Sequence, residues 1–131
     1  MAEQNVETAD QKTVLIADDE RGLRILIRAT LKSSGYRLIE AENGVDALDS
    51  ARRERPHLLL LDIGMPGMDG YQVCEALKND PTTNDITVVM FTARAQPADL
   101  ERGLQAGADA YFTKPLSPLE LRINVQQLLS A

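Results

Sequence analysis

The feature that most constrains this chain is a rhythm: five short β-rich runs, each followed by a stretch with helical spacing. Thr13 to Ala17 is the first run, and Leu23, Leu26, Ile27, Thr30 and Leu31 follow it at the spacing of one helix face. Gly35 stands where a left-handed helix stop is wanted. Tyr36 to Ala41 reads as a second strand, and Asn43 caps a helix through Ala47, Leu48 and Ala51 that ends before Pro56. The run from His57 to Leu61 is closed by the turn Gly64-Met65-Pro66-Gly67. A third helix covers about Asp69 to Asn79, with Val73 and Leu77 on one face, and Asp80-Pro81 breaks it. Ile86 to Phe91 is the fourth strand, and Pro97 opens a fourth helix that Gly107 stops. Asp109 to Thr113 and Ser117 to Leu129 complete the series.

Strands that are apolar on both faces must be covered on both faces by helices, which is the condition of a parallel sheet. Five consecutive βα units therefore predict an α/β, doubly wound, five-stranded parallel sheet with right-handed crossovers. A length of 131 residues suits one domain around one core. Met1 to Lys12 is polar and without periodicity and reads as a flexible N-terminal tail, leaving residues 13–131 as the folded body.

Composition narrows the function. The net charge is −6, and the one basic cluster, Arg52-Arg53-Glu54-Arg55, is interrupted by a glutamate and reads as the solvated end of a helix. Direct nucleic-acid binding is not expected, because such affinity depends on neutralising many phosphates. The longest apolar runs, Leu58 to Leu61 and Val88 to Phe91, are far too short to cross a bilayer, so no membrane partner is expected. Met1 opens no secretory signal, and the single cysteine, Cys74, excludes an internal disulfide and suits a reducing compartment. A cytoplasmic location is the default expectation.

In an open parallel sheet, sites form beyond the carboxyl ends of the strands. Asp18, Asp19 and Glu20 follow the first strand, Asp62 the third, Thr92 the fourth and Lys114 the fifth. Each has an ordinary explanation alone: Asp19 or Glu20 as a helix-start acid, Thr92 as a loop hydroxyl, Lys114 as a solvated cation. Asp62 resists that reading, because Leu58 to Leu61 delivers it from a buried strand. Three carboxylates at one sheet end repel one another and raise at least one pKa unless a cation sits among them. Asp18, Asp19 and Asp62 supply three negative charges, matched by Lys114 and a divalent cation. Oxygen ligands without histidine or thiol point to Mg²⁺. Such a site suits phosphoryl transfer, which needs in-line positioning and neutralised oxygens. Asp62 would be the nucleophile, forming an acyl phosphate. Two phosphoryl oxygens would be held by Mg²⁺ and Lys114, and the third would accept a bond from the Thr92 hydroxyl.

From about Thr13 to Leu129 the chain resembles the receiver domain of bacterial two-component response regulators. The matching pieces are Leu15-Ile16-Ala17-Asp18-Asp19-Glu20, Leu61-Asp62-Ile63-Gly64-Met65-Pro66-Gly67-Met68-Asp69-Gly70, Phe91-Thr92-Ala93, and Gly107-Ala108-Asp109-Ala110-Tyr111 followed by Lys114-Pro115. The resemblance implies a flavodoxin-like sheet in the order 2-1-3-4-5. It implies that Asp62 accepts phosphate from a histidine kinase or a phosphotransfer protein and that the domain catalyses its own phosphorylation and dephosphorylation. It further implies that Asp19, Asp62 and the backbone carbonyl of Gly64 ligate Mg²⁺ directly, with Asp18 acting largely through water. Lys114-Pro115 is expected to be a cis peptide that aims the lysine inward. Gly64 and Arg94 occupy the positions expected to lie near the phosphoryl group and to influence its lifetime.

Tyr111 stands where the family carries a switch aromatic: phosphorylation would draw Thr92 inward and Tyr111 would follow. The expected output surface is the fourth helix, fifth strand and fifth helix, roughly Pro97 to Leu129, serving an unidentified output protein or a homodimer. His57 sits at the end opposite the site, Cys74 reads as a small core residue, and Asp69-Gly70 as helix-start chemistry rather than a metal ligand. A phosphatase resembling the haloacid dehalogenase class would carry a second aspartate two residues after the first, where this chain has Gly64, and would carry an inserted cap segment. The chain stops at Ala131 without a linker, so a stand-alone receiver is expected, with a receiver from a longer regulator as the alternative.

Overall fold

A computed structural model describes residues 11–93, 96–115 and 117–130. Ten elements alternate: β1 (Thr13–Ala17), α1 (Arg21–Lys32), β2 (Arg37–Ala41), α2 (Gly44–Glu54), β3 (Leu58–Leu61), α3 (Gly70–Lys78), β4 (Thr87–Thr92), α4 (Pro97–Gln105), β5 (Ala110–Thr113) and α5 (Pro118–Ser130). The strands form one sheet in the order β2-β1-β3-β4-β5, with every pairing parallel. This is the flavodoxin-like arrangement expected above.

Successive side chains on a strand point to opposite faces, and the core divides accordingly. Leu15, Ala17, Leu59, Leu61, Val88 and Met90 pack with Ala47 and Ala51 of α2 and Val73, Cys74 and Leu77 of α3. Val14, Ile16, Leu58, Leu60, Val89 and Phe91 pack on the other face with Ile27 and Leu31 of α1 and Leu121 and Val125 of α5. Truncating one of these fully buried leucines to alanine costs about 2–5 kcal/mol, through lost transfer energy and the cavity left behind.

Burial on both faces holds for the inner strands β1, β3 and β4, whereas the edge strands β2 and β5 are half-exposed along most of their length. Helix α1 differs from its expected face. Leu26 is 52% exposed, and the buried stripe runs through Arg24, Ile27 and Leu31. An arginine therefore takes an inward place that the hydrophobic spacing assigned to a leucine.

Helix ends follow local chemistry. The Asn43 side chain accepts from the Asp46 N–H at 2.8 Å, and Pro97 opens α4. Gly35 and Gly107 end their helices with φ of +81° and +101°, the left-handed region that residues with a Cβ avoid. Residues 1–10 of the expected tail lie outside the described residues. Gln11 donates from Nε2 to the Gly35 carbonyl at 3.2 Å, and the Lys12 carbonyl accepts from the Arg37 N–H at 2.8 Å.

Candidate functional site

Register places the site. Ala17 lies opposite Ala41 and Leu61, Leu61 opposite Met90, and Thr92 opposite Thr113, so the carboxyl ends of the strands finish nearly level. Backbone bonding continues one residue further. Asp18 donates its N–H to the Ala41 carbonyl at 3.1 Å, Asp62 to Ala17 at 3.0 Å, and Lys114 to Thr92 at 2.7 Å. Two acids and a lysine are thus held by the sheet itself, pointing past its end.

The side chains meet there. Asp18, Asp19 and Asp62 each offer a carboxylate oxygen within 4.8 Å of the others. Asp18 is 2% exposed and Asp62 8%, while Asp19 stands in solvent. Lys114 Nζ lies 2.7 Å from Asp18 Oδ2 and 3.6 Å from Asp62 Oδ1, and the Lys114-Pro115 bond is cis. Thr92, buried at the end of β4, and the Gly64 N–H face the Asp62 carboxylate and favour its charged form. Gly70 lets α3 start against this strand end: a Cβ there would stand 2.6 Å from the Asp62 carbonyl oxygen.

Asp62 is held above the ordinary carboxylate range chiefly by burial. Lys114 opposes that rise, Asp18 adds to it, and Gly64 and Thr92 oppose it. The sequence reading attributed the shift to repulsion among the acids. The direction is as expected, but removal from water is the larger cause, because Asp62 stands at the end of a strand buried on both faces.

The donor set suits a hard divalent cation. Its ligating atoms are carboxylate oxygens, and among the described residues this is the one cluster of three or more acids, histidines or cysteines able to share an ion. Both Asp18 oxygens already have donors, the Glu20 N–H at 2.9 Å and Lys114 Nζ at 2.7 Å. Asp19 remains the open acid.

A family model of the response regulator receiver domain matches residues 14–126. The chain belongs to this receiver family. It is 41% identical over 118 residues to the phosphate regulon transcriptional regulatory protein PhoB of Pseudomonas aeruginosa, a match covering 90% of the chain and 52% of that protein. The chain therefore spans about half the length of that curated relative. The crystal structure of a putative response regulator from Chloroflexus aurantiacus superposes with a TM-score of 0.87 at 31% identity, covering 93% of this chain and all of that one. The receiver domain of a sensor histidine kinase from Pseudomonas aeruginosa, solved with a magnesium ion coordinated in its active-site cleft, has a TM-score of 0.85 at 30% identity and covers 92% and 99%. Family and relatives make this a signalling module rather than an ordinary enzyme.

Other residues of the receiver fall into place around the cluster. Gly64 lies beside the Asp62 carboxylate, since a Cβ there would meet Oδ2 at 3.9 Å, whereas Arg94 lies outside the described residues. Tyr111 on β5 is half-buried and packs against α4, where a Cβ on Gly103 would stand 2.9 Å from its ring. His57 is at the opposite sheet end and accepts the Thr13 N–H on Nδ1 at 3.0 Å. Cys74 is fully buried, its thiol pushed up to about 12 by burial. Asp69 caps α3 in a reciprocal box with Gln72. No described helix is long and apolar enough to cross a membrane. Sequence reasoning missed Arg24 of α1, which donates to the Asp18 carbonyl at 2.6 Å and to Glu40 at 3.0 Å. An arginine six residues past an acid, on a helix with exposed arginines before and after it, carries no local signal of that contact.

Proposed function

We propose that this receiver is a phosphorylation-controlled switch in which Asp62 accepts the phosphoryl group. One observation carries the reading: Asp62 is the carboxylate on which Lys114, the Thr92 hydroxyl and the Gly64 N–H converge. An oxygen of Asp62 attacks phosphorus, the bond from phosphorus to the donor breaks, and an acyl phosphate results. With a histidine kinase or phosphotransfer protein as donor, the departing imidazole takes up a proton. Lys114, already within reach of Asp62, neutralises one phosphoryl oxygen, and the Thr92 hydroxyl turns to donate to another. Asp19 and Asp62, with the Gly64 carbonyl, would hold Mg²⁺ directly, and Asp18 would act through water. That ion would supply charge neutralisation to the phosphoryl oxygens. The same pocket, closed around the acyl phosphate, also serves its hydrolysis. Residues 13–131 constitute the receiver unit.

Output leaves through α4, β5 and α5. Thr92 ends β4 beside β5, Tyr111 lies on β5, and Lys114 follows it, so groups that respond to phosphate adjoin that face. Leu100 and Leu104 of α4 and Leu119 and Ile123 of α5 stand exposed there, 43–57% open, and would meet an output protein or a second copy. The match to about half of a transcriptional regulator also supports a receiver working within a longer regulator, with phosphorylation passing to an attached output domain.

The test is labelling with acetyl phosphate and Mg²⁺. The wild-type chain takes up phosphate and Asp62→Asn does not. Full, stable labelling of Asp62→Asn at another residue overturns the assignment.

A further inference from the structure

Asp18 is over-determined, and the direction of Asp19 follows from it. Within Asp18, the N–H is bound to the Ala41 carbonyl, Oδ1 to the Glu20 N–H, Oδ2 to Lys114 and the backbone carbonyl to Arg24 Nη1 at 2.6 Å. That carbonyl belongs to the same planar peptide as the Asp19 N–H. Fixing its orientation fixes where the Asp19 Cα lies and so narrows the positions its carboxylate can reach.

The guanidinium is itself held from behind. Arg24 Nε donates to Glu40 Oε1 at 3.0 Å, and the other Glu40 oxygen forms an ion pair with Arg28 Nε at 3.1 Å. Arg28 in turn donates to the Leu38 carbonyl at 3.2 Å. A chain of hydrogen bonds and one ion pair thus runs from the β2 backbone through Arg28, Glu40 and Arg24 to the peptide between the two acids. The Arg24 side chain is 11% exposed, so its planar fork is locked by packing as well as by partners.

We propose that Arg24, oriented by Glu40, is a positioning residue for cation uptake at the acid cluster. It touches neither cation nor phosphate; it holds the Asp18-Asp19 peptide so that Asp19 faces Asp62. This rests on the reading of Asp19 and Asp62 as cation ligands. Coulomb's law alone gives the opposite sign, because deleting a positive charge near three carboxylates should strengthen cation binding. Weaker binding after its removal is therefore the mark of positioning.

The experiment is Mn²⁺ and Mg²⁺ titration of the full chain and its variants by calorimetry, with thermal melting of each metal-free protein alongside. Arg24→Gln and Arg24→Lys should weaken cation affinity by about tenfold to a hundredfold, the range for residues that orient metal ligands. Glu40→Gln, which keeps an acceptor for Arg24, should fall between wild type and Arg24→Gln. At saturating cation the rate of phosphate uptake from acetyl phosphate should return toward wild type, because the reacting groups are intact. Arg24→Lys keeps a charge and serves as the second variant should Arg24→Gln fail to fold. The proposal is overturned if a folded Arg24 variant binds cation as tightly as wild type while Asp19→Ala does not, even where its melting temperature drops. A wild-type chain that takes up no cation overturns both this proposal and the reading beneath it.

Discussion

The two ends of the sheet treat charge in opposite ways. At the amino end, Lys78 Nζ donates to Asp109 Oδ2 at 2.9 Å and to the Ile86 carbonyl at 2.6 Å, and Asp109 accepts the Val88 N–H at 2.8 Å. One cation meets one anion, and the backbone takes what remains. At the carboxyl end, three carboxylates gather around one lysine, and two of them are taken almost wholly out of water. The first arrangement ties α3 to β4 and β5. The second gathers an excess of negative charge into a cluster whose carboxylate oxygens could share a cation.

That contrast can be broken most directly with metal. If the carboxyl end lacks positive charge, Mg²⁺ at a hundredfold excess over its dissociation constant should stabilise the fold by about 2.7 kcal/mol. Thermal melting followed by circular dichroism should show the gain in the wild-type chain and in Asp109→Asn, and lose it in Asp19→Ala. Removing the ion with a chelator should return the wild type to its metal-free melting temperature. A gain that survives Asp19→Ala would place the cation elsewhere and dissolve the comparison.

Next comes the clamp at the amino end. Lys78→Met removes a charge-assisted bond to Asp109 and leaves the Ile86 carbonyl short of a donor. Bonds to charged groups contribute roughly 1.5–3 kcal/mol, so a loss of about 2 kcal/mol in urea unfolding is expected. Phosphate uptake by the folded variant should be unchanged. A loss of uptake at full folding would mean that the two ends are coupled.

The same chemical change should carry opposite signs at the two ends. Asp109→Asn weakens the clamp and lowers stability by on the order of 1 kcal/mol. Asp62→Asn should raise the stability of the metal-free protein at neutral pH, because burial disfavours its charged form. The sign follows from proton counting. A raised folded pKa means that the native state binds more protons than the unfolded one between the two values. Wild-type stability therefore falls as pH rises through that window. The advantage of Asp62→Asn should be full above the raised pKa and should shrink as pH drops through it. Urea titrations across acid and neutral pH measure it, and an advantage independent of pH would count against burial as its cause.

Much of this was legible in the sequence because it is local. Leu58 to Leu61 announces a strand buried on both faces, and Asp62 inherits its depth from that run. Asn43, Pro97 and Gly107 mark helix ends by their own chemistry. What was not legible depends on distant partners. Leu26 fits the helical period yet faces solvent, while Arg24 takes the inward place because Glu40 and the Asp18 carbonyl are there to receive it. Lys78 and Asp109 are separated by thirty-one positions, so neither looks like half of a pair. The cause of the Asp62 shift also escaped, since charge can be counted along a chain while desolvation depends on the packed sheet.

Asp69 offers the smallest and sharpest test, because it is an acid near the functional end that behaves like the amino end. It follows Asp62 by seven residues, on the loop that leads into α3. Its Oδ1 accepts the Gln72 N–H at 2.9 Å, and Gln72 Oε1 accepts the Asp69 N–H at 2.9 Å, so two donors at the helix start are satisfied reciprocally. An asparagine caps as well as an aspartate, so Asp69→Asn should change stability by no more than a few tenths of a kcal/mol. Asp69→Ala removes the acceptor and should cost about 0.5–1 kcal/mol in urea unfolding. Neither should change Mg²⁺ affinity, since Asp69 is not among the acids that share an ion position. Paired unfolding and calorimetric titrations of both variants decide it. Should Asp69→Asn weaken the cation while leaving stability alone, Asp69 would join the cluster as a fourth acid, and the division between pairing and surplus would need redrawing along that loop.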